Sequence, residues 1–238
     1  MKRLDAVRGA YARTGTKHDF YDGMITGTTL SGKLICRIVW DMSSAENDRY
    51  IEQALSGIPR DFTGTLLEVP VGTGVLTMPL YRDLPEASVT CLDYSAEMLS
   101  RAEARAARFG LRNVRFCRGD VGKLPFADET FDAVLSLNGF HAFPDKNAAY
   151  RETYRVLKPG GIFCGCFYIK DEVKRADRIV NAIYVKRGYF TPPFETLESL
   201  TERLGHRYET ANVRHVKSMA TFVCRKAKGD GCRERNRQ

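Results

Sequence analysis

A chain of 238 residues with 43% hydrophobic and 28% charged side chains has the size and composition of one soluble α/β domain, large enough to bury a full core and neither disordered nor fibrous. No run approaches the roughly 20 apolar residues of a membrane span, and the N-terminus lacks the apolar stretch of a secretory signal. The formal charge of +8 is gathered at the ends, with a net +3 in residues 1–20 and +4 in residues 225–238, which argues against a polynucleotide groove.

Residues 1–60 precede any strand pattern and hold two amphipathic stretches, KLICRIVWDM (33–42) and NDRYIEQALSGI (47–58), read as an N-terminal helical cap. TGTLLEVP (63–70) is an apolar run ending in an acid and a turn, which suits a buried parallel strand. VLTMPLYRDL (75–84) has helical spacing despite Pro79, and SVTCLDY (88–94) is the second strand. Ser95 is placed to cap a helix whose face carries Leu99, Ala102, Ala106 and Phe109 and which stops at Gly110.

VRFCRGD (114–120) and FDAVLSLNGF (131–140) are the next two strands. DKNAAYRETYRVL (145–157) is a helix ended by KPGG, and GIFCGCFYI (161–169) is a fifth strand. Residues 171–204 fall outside the alternation and are read as a cap insertion. YETANVRHV and MATFVCRKA then form an antiparallel pair, followed by a basic, flexible tail over 225–238. The order predicts a single domain: a Rossmann-like, doubly wound, mostly parallel seven-stranded sheet with an antiparallel C-terminal edge strand and helices on both faces, its core spanning 61–224.

The seven cysteines (36, 91, 117, 164, 166, 224, 232) contain no CxxC and are odd in number. They predict reduced core thiols in a cytoplasmic protein, with neither disulfides nor a metal site.

Ligands of open α/β sheets bind outside the carboxyl ends of the strands, and four features fall there in succession. Glu68-Val-Pro70-Val-Gly72-Thr73-Gly74 follows the first strand, and without a Cβ at 72 and 74 the backbone can approach a ligand closely. Asp93, 21 residues beyond Gly72, suits the hydroxyls of a ribose. Asp120-Val121 offers an acid and an apolar neighbour for an adenine. Leu137-Asn138-Gly139-Phe140-His141 faces whatever the nucleoside presents. Neither alignment of Gly72 and Gly74 completes G-x-G-x-x-G, and no P-loop is present, so a pyrophosphate ligand is disfavoured.

EVPVGTG, LDYSAEML, GDVGKLPFADETFDAV and RVLKPGG, in that order, resemble the motifs of the class I S-adenosylmethionine-dependent methyltransferases. The look-alikes are the type 11 group and the ubiquinone/menaquinone-biosynthesis C-methyltransferases, over residues 18 to 224; Pro70 stands where the family has its first glycine. The resemblance implies S-adenosylmethionine as cofactor, with Glu68 at its methionine end, Asp93 at the ribose and Asp120 at the adenine. Pro70, Thr73, Tyr94, Met98, Val121, Leu137, Asn138 and Gly139 complete the contact set. Tyr21, in FYDGM (20–24), resembles the segment that the family places over the methionine end.

The acceptor is expected to be a small molecule methylated on C, O or N. Its pocket is expected to be lined by Phe20, Phe140, His141, Phe143, Tyr168, Tyr184, Tyr189, Phe190 and Phe194. Where the acceptor must lose a proton, His141 is the candidate base, then Tyr21 or Tyr168. Packing alone would also explain each aromatic. The amino-methylation signature of asparagine, proline and an aromatic is missing at 137–140. An RNA or protein methyltransferase using the basic ends, and a non-catalytic cofactor binder, stay open; the oligomeric state is not legible.

Overall fold

The computed structural model describes residues 30–228. Seven strands, β1 (Thr65–Glu68), β2 (Ser88–Asp93), β3 (Val114–Arg118), β4 (Phe131–Leu137), β5 (Leu157–Tyr168), β6 (Thr210–Val216) and β7 (Met219–Arg225), form one sheet in the order 3-2-1-4-5-7-6. The pairs among β1 to β5 are parallel, and β7 runs antiparallel to both β5 and β6. The central strands are mostly apolar because both faces are covered. Leu66 and Leu67, each wholly buried, enter opposite cores.

One core lies under α2 (Ser44–Leu55), α3 (Thr77–Arg82) and α4 (Ala96–Arg108), which contribute Tyr50, Ala54, Met78, Tyr81, Leu99, Ala102 and Ala106. The other lies under α5 (Lys146–Arg155) and α7 (Leu197–Arg207), with Ala149, Tyr150, Leu200 and Leu204. Helix starts follow the expected cap chemistry: the Ser95 hydroxyl accepts the Met98 N–H and the Asp145 carboxylate accepts the Ala148 N–H. Pro79 is tolerated because it falls in the first turn of α3, where no intrahelical acceptor waits for its missing N–H.

Three readings need correction. KPGG does not precede the fifth strand but lies inside it: Phe131 pairs with Leu157 and Ala133 with Ile162, so residues 158–161 bulge out of the ladder. Lys158 pins that excursion with 2.9 Å contacts to both Asp132 carboxylate oxygens.

Among the described residues, parts of the segments 1–60 and 171–204 expected to cap the crevice lie on the sheet instead. Residues 1–29 lie outside the described residues. Of the rest, α2 lies on the sheet over β5 and β7, because no crossover helix covers that flank. Among the described residues, α1 (Leu30–Ile38) and the following loop form the roof on this side, held to the insertion by Arg175 on the Arg37 carbonyl and by Trp40 against Tyr184. Likewise α7 packs against β6 in the second core. The insertion proper is α6 (Lys174–Ile179), a π-helical turn (Val180–Val185) and the loop to Glu195.

At the end of α2, a Cβ on Gly57 would lie 2.5 Å from the Cys164 Cβ. Overpacking at such a contact costs about 1–3 kcal/mol. Gly57→Ala is therefore expected to lower Tm by roughly 3–10 °C in calorimetry.

Candidate active site

The loop after β1 changes sides of the sheet at Pro70. The Val69 N–H donates to Leu135 of β4 at 2.9 Å, and the Val71 N–H donates to Leu92 of β2 at 3.0 Å. Pro70, joined to Val69 by a cis peptide bond, has no N–H to donate between them. Gly72 and Gly74 have φ of +55° and +65°, and a Cβ on Gly74 would stand 2.8 Å from the Met78 Cε. Arg105 of α4 fixes the turn by donating to the Thr73 carbonyl at 2.6 Å.

Asp93 ends β2 and holds two separate pieces of chain. Its Oδ2 accepts the Gly72 N–H at 2.8 Å and its Oδ1 accepts the Ser95 N–H at 2.9 Å. Burial pushes its carboxyl up to about 6, against the pull of those two donors. Glu68 is 1% exposed and accepts from the Tyr81 hydroxyl at 2.8 Å and the Cys91 thiol at 3.6 Å. Desolvation drives its carboxyl up to about 8, with the Asp93 charge adding to the rise.

Glu68, Pro70, Gly72, Thr73, Gly74, Asp93, Tyr94, Met98, Asp120, Val121, Leu137 and Asn138 all line one cleft, as does Phe143, with about 1040 Å³ of open space. Asp120 accepts the Gly122 N–H at 2.8 Å, an Asx turn that leaves its second oxygen for another donor. Asn138, at φ +55°, meets the Tyr50 hydroxyl at 3.4 Å.

Other expected site residues stand elsewhere. Gly139 sits behind the wall: a Cβ there would lie 2.5 Å from the Pro70 Cδ and 2.5 Å from the Phe143 Cζ, so its smallness lets the two loops pack. Phe140 is wholly buried in the second core, 4.3 Å from the Tyr150 ring, and so does not line the cleft. Phe20 and Tyr21 lie outside the described residues.

His141 is not arranged as a base. Its Nδ1 accepts the Tyr168 N–H at 3.1 Å, so in the neutral ring the proton sits on Nε2. Burial, with the Lys146 charge in support, brings its pKa down to about 3. Tyr168 is no better placed, since burial raises its phenol above the ordinary range and its hydroxyl donates to Asp177 at 2.6 Å.

The remaining aromatics converge on one another. Phe190 stacks on His141 at 3.9 Å and lies 6.2 Å from Trp40, while Trp40 is 5.8 Å from both Tyr168 and Tyr184. This cluster joins the α1–α2 loop to the insertion and adjoins the cleft at Ala142 and Phe143. Trp40, Tyr81, Arg105 and Ala142 had no sequence signal, because each owes its place to packing rather than to a motif.

The strand order, the antiparallel β7 and a cleft at the carboxyl ends of β1, β2 and β4 define the Rossmann-like fold of class I S-adenosylmethionine-dependent methyltransferases. Solved structures agree on that fold. An S-adenosylmethionine-dependent methyltransferase from Thermotoga maritima, described as a possible histamine N-methyltransferase, superposes with a TM-score of 0.59 at 20% identity, covering 81% of this chain and 92% of that one. An Aquifex aeolicus S-adenosylmethionine-dependent methyltransferase gives 0.56 at 18%, covering 80% and 92%.

Residues 66–161 match the model of the methyltransferase domain family. A demethylmenaquinone methyltransferase of Thermus thermophilus is 40% identical over 113 residues, 48% of this chain and 49% of the relative. A chloroplastic 2-methyl-6-phytyl-1,4-hydroquinone methyltransferase of Oryza sativa subsp. japonica is 35% identical over 99 residues, 42% of this chain and 29% of the relative. The matched stretch thus spans half or less of these curated relatives.

The Glu68 carboxyl titrates near 4.5 when solvated and near 8 in the fold, so the folded state binds the extra proton between those values. Its contribution to stability is full below about pH 4.5 and falls as pH rises toward 8. In Glu68→Gln, ligand-free chemical denaturation is expected to lose this part of the pH slope; a slope equal to wild type would show that Glu68 is already ionised.

Proposed function

We propose that the chain transfers a methyl group from S-adenosylmethionine to a small, electron-rich acceptor of hydroquinone type. The observation that carries the cofactor is the set of three carboxyls, Glu68, Asp93 and Asp120, lining one cleft with the glycine turn between the first two. The residues fit the cofactor's chemistry. Asp93, already oriented by two N–H donors, has lone pairs for ribose hydroxyls. The free oxygen of Asp120 suits an exocyclic amine, with Val121 and Met98 supplying apolar surface. Glu68 is a buried carboxyl raised by desolvation, and among the described residues no basic group offsets it. A cationic ligand end would restore its charge.

When bound, S-adenosylmethionine supplies an electrophilic methyl group on a sulfonium, with S-adenosylhomocysteine as the leaving product. The chain's share is orientation and exclusion of water, and near-attack placement of this kind is worth several kcal/mol or more, about 7–11 at best. His141 positions the wall: its ring joins β5 through the Tyr168 N–H and carries Phe190 on its face. With His141 neutral and its Nδ1 occupied, the site favours an acceptor that is already nucleophilic, such as the ring carbon of a hydroquinone, whose displaced ring proton passes to solvent water after the methyl group has transferred. The aromatic surroundings and the quinone-directed relatives support the same choice.

We read the acceptor as a small molecule rather than nucleic acid because the cleft has apolar walls at Met98, Val121, Leu137 and Phe143. Free thiols at all six described cysteines support a reducing compartment such as the cytoplasm.

Titration calorimetry with S-adenosylhomocysteine is expected to show micromolar binding, weakened at least about tenfold in Asp93→Ala, since hydrogen bonds to a charged group are worth about 1.5–3 kcal/mol. Wild-type protein that takes up no S-adenosylhomocysteine would overturn the cofactor assignment. In a methyl-transfer assay with a short-chain demethylmenaquinol, His141→Gln is expected to leave the pH dependence of kcat unchanged. An acid-side limb present in wild type and lost in that variant would restore His141 as the base.

A further inference from the structure

The large hydrophobic side chains that stand exposed among the described residues are Leu34 (59%), Ile38 (51%) and Ile183 (43%). All three lie on the roof: Leu34 and Ile38 one turn apart on α1, and Ile183 on the π-helical turn. The two segments are locked together, since Arg175 of α6 donates to the Arg37 carbonyl and to Asp41, each at 2.8 Å. Their inner side carries the aromatic cluster, with Trp40 against Tyr184.

The outer side is basic. Lys33 and Arg37 are exposed on α1, Lys174 and Arg178 on α6, and Lys186 and Arg187 just after the π-helical turn. Carboxylates on the same segments are engaged elsewhere. Asp177 accepts the Tyr168 hydroxyl and the Asp171 N–H, and Asp41 accepts from Arg175 and Lys217. A surface that pairs protruding aliphatic side chains with surroundings of one sign, all Lys and Arg, is complementary to an anionic lipid interface. A polynucleotide would match the charges and leave the three aliphatic side chains without a partner.

We propose that this roof docks the protein on an anionic lipid surface, with Leu34, Ile38 and Ile183 entering the headgroup layer and the basic side chains pairing with lipid phosphates. Docking sets the inner aromatic cluster, and the cleft wall at Ala142 and Phe143, directly beneath the membrane face. A lipid-tailed acceptor then reaches the cleft without crossing water. The inference rests on the proposed acceptor class for that route, and not for the docking itself.

Sedimentation of the full chain with vesicles tests it. Wild type is expected to pellet with vesicles of equal phosphatidylglycerol and phosphatidylcholine, to stay in solution with phosphatidylcholine alone, and to be released by high salt. Lys186→Glu/Arg187→Glu and Leu34→Ser/Ile183→Ser are each expected to weaken association about tenfold or more. Arg108→Glu/Arg112→Glu, an equal charge change on exposed residues at the opposite end of the strands, is expected to behave closer to wild type.

Three results would overturn the proposal: wild type that ignores anionic vesicles, roof variants that pellet like wild type, or a polyuridine oligonucleotide that displaces the protein while the aliphatic variant binds normally. S-adenosylhomocysteine calorimetry on the same variants keeps the two readings apart, because it is expected to be unchanged whether or not the vesicles are bound.

Discussion

The Asp93 carboxylate is the constraint on which the site depends. One oxygen holds the Gly72 N–H and the other holds the Ser95 N–H, so a single side chain joins the loop after β1 to the start of α4. Those contacts fix where the glycine turn stands relative to α4, and Arg105 repeats the tie from farther along that helix. Desolvation works against the arrangement by raising the carboxyl toward neutrality, and the two backbone donors offset part of that cost. A ribose that donates to the same oxygens would add to an existing orientation rather than create one.

The second organising fact is the change of ladder at Pro70. A parallel strand that ends by bonding to one neighbour and resumes by bonding to the other opens a gap at its carboxyl end. Gly139 closes the gap from behind, because a side chain there would strike both Pro70 and Phe143. The proline that breaks the dinucleotide pattern and the glycine that seemed to face the ligand are therefore two halves of one packing contact. Neither would be understood from the cleft alone.

Much of the fold was legible because its signals are local and repeated. Apolar runs ending in acids, capped helices and short connections recur along the parallel half of the sheet, and each agrees with its neighbours. The lining of the cleft was legible for the same reason, since strand ends in an open sheet converge by topology. What could not be read depends on contacts distant in sequence. Phe140 and Phe143 both enter the second core, yet Phe143 also lines the cleft and Phe140 does not. The role of His141 turned on which group donates to its Nδ1, and that donor is a backbone N–H 27 residues away. What α2 and α7 cover could not be read either, because an amphipathic helix has the same pattern whether it covers a sheet or a crevice.

Trp40 is the only tryptophan of the chain, and it lies in the roof cluster between Tyr168, Tyr184 and Phe190. The indole sits at the roof end of the first core and is not among the residues that line the cleft. Light emitted on excitation of this ring carries information about a single region. Any rearrangement of the insertion against the α1–α2 loop changes the surroundings of the fluorophore, while events confined to the adenosine end leave it in place. The molecule holds an optical gauge of its own roof, and no label has to be added to use it.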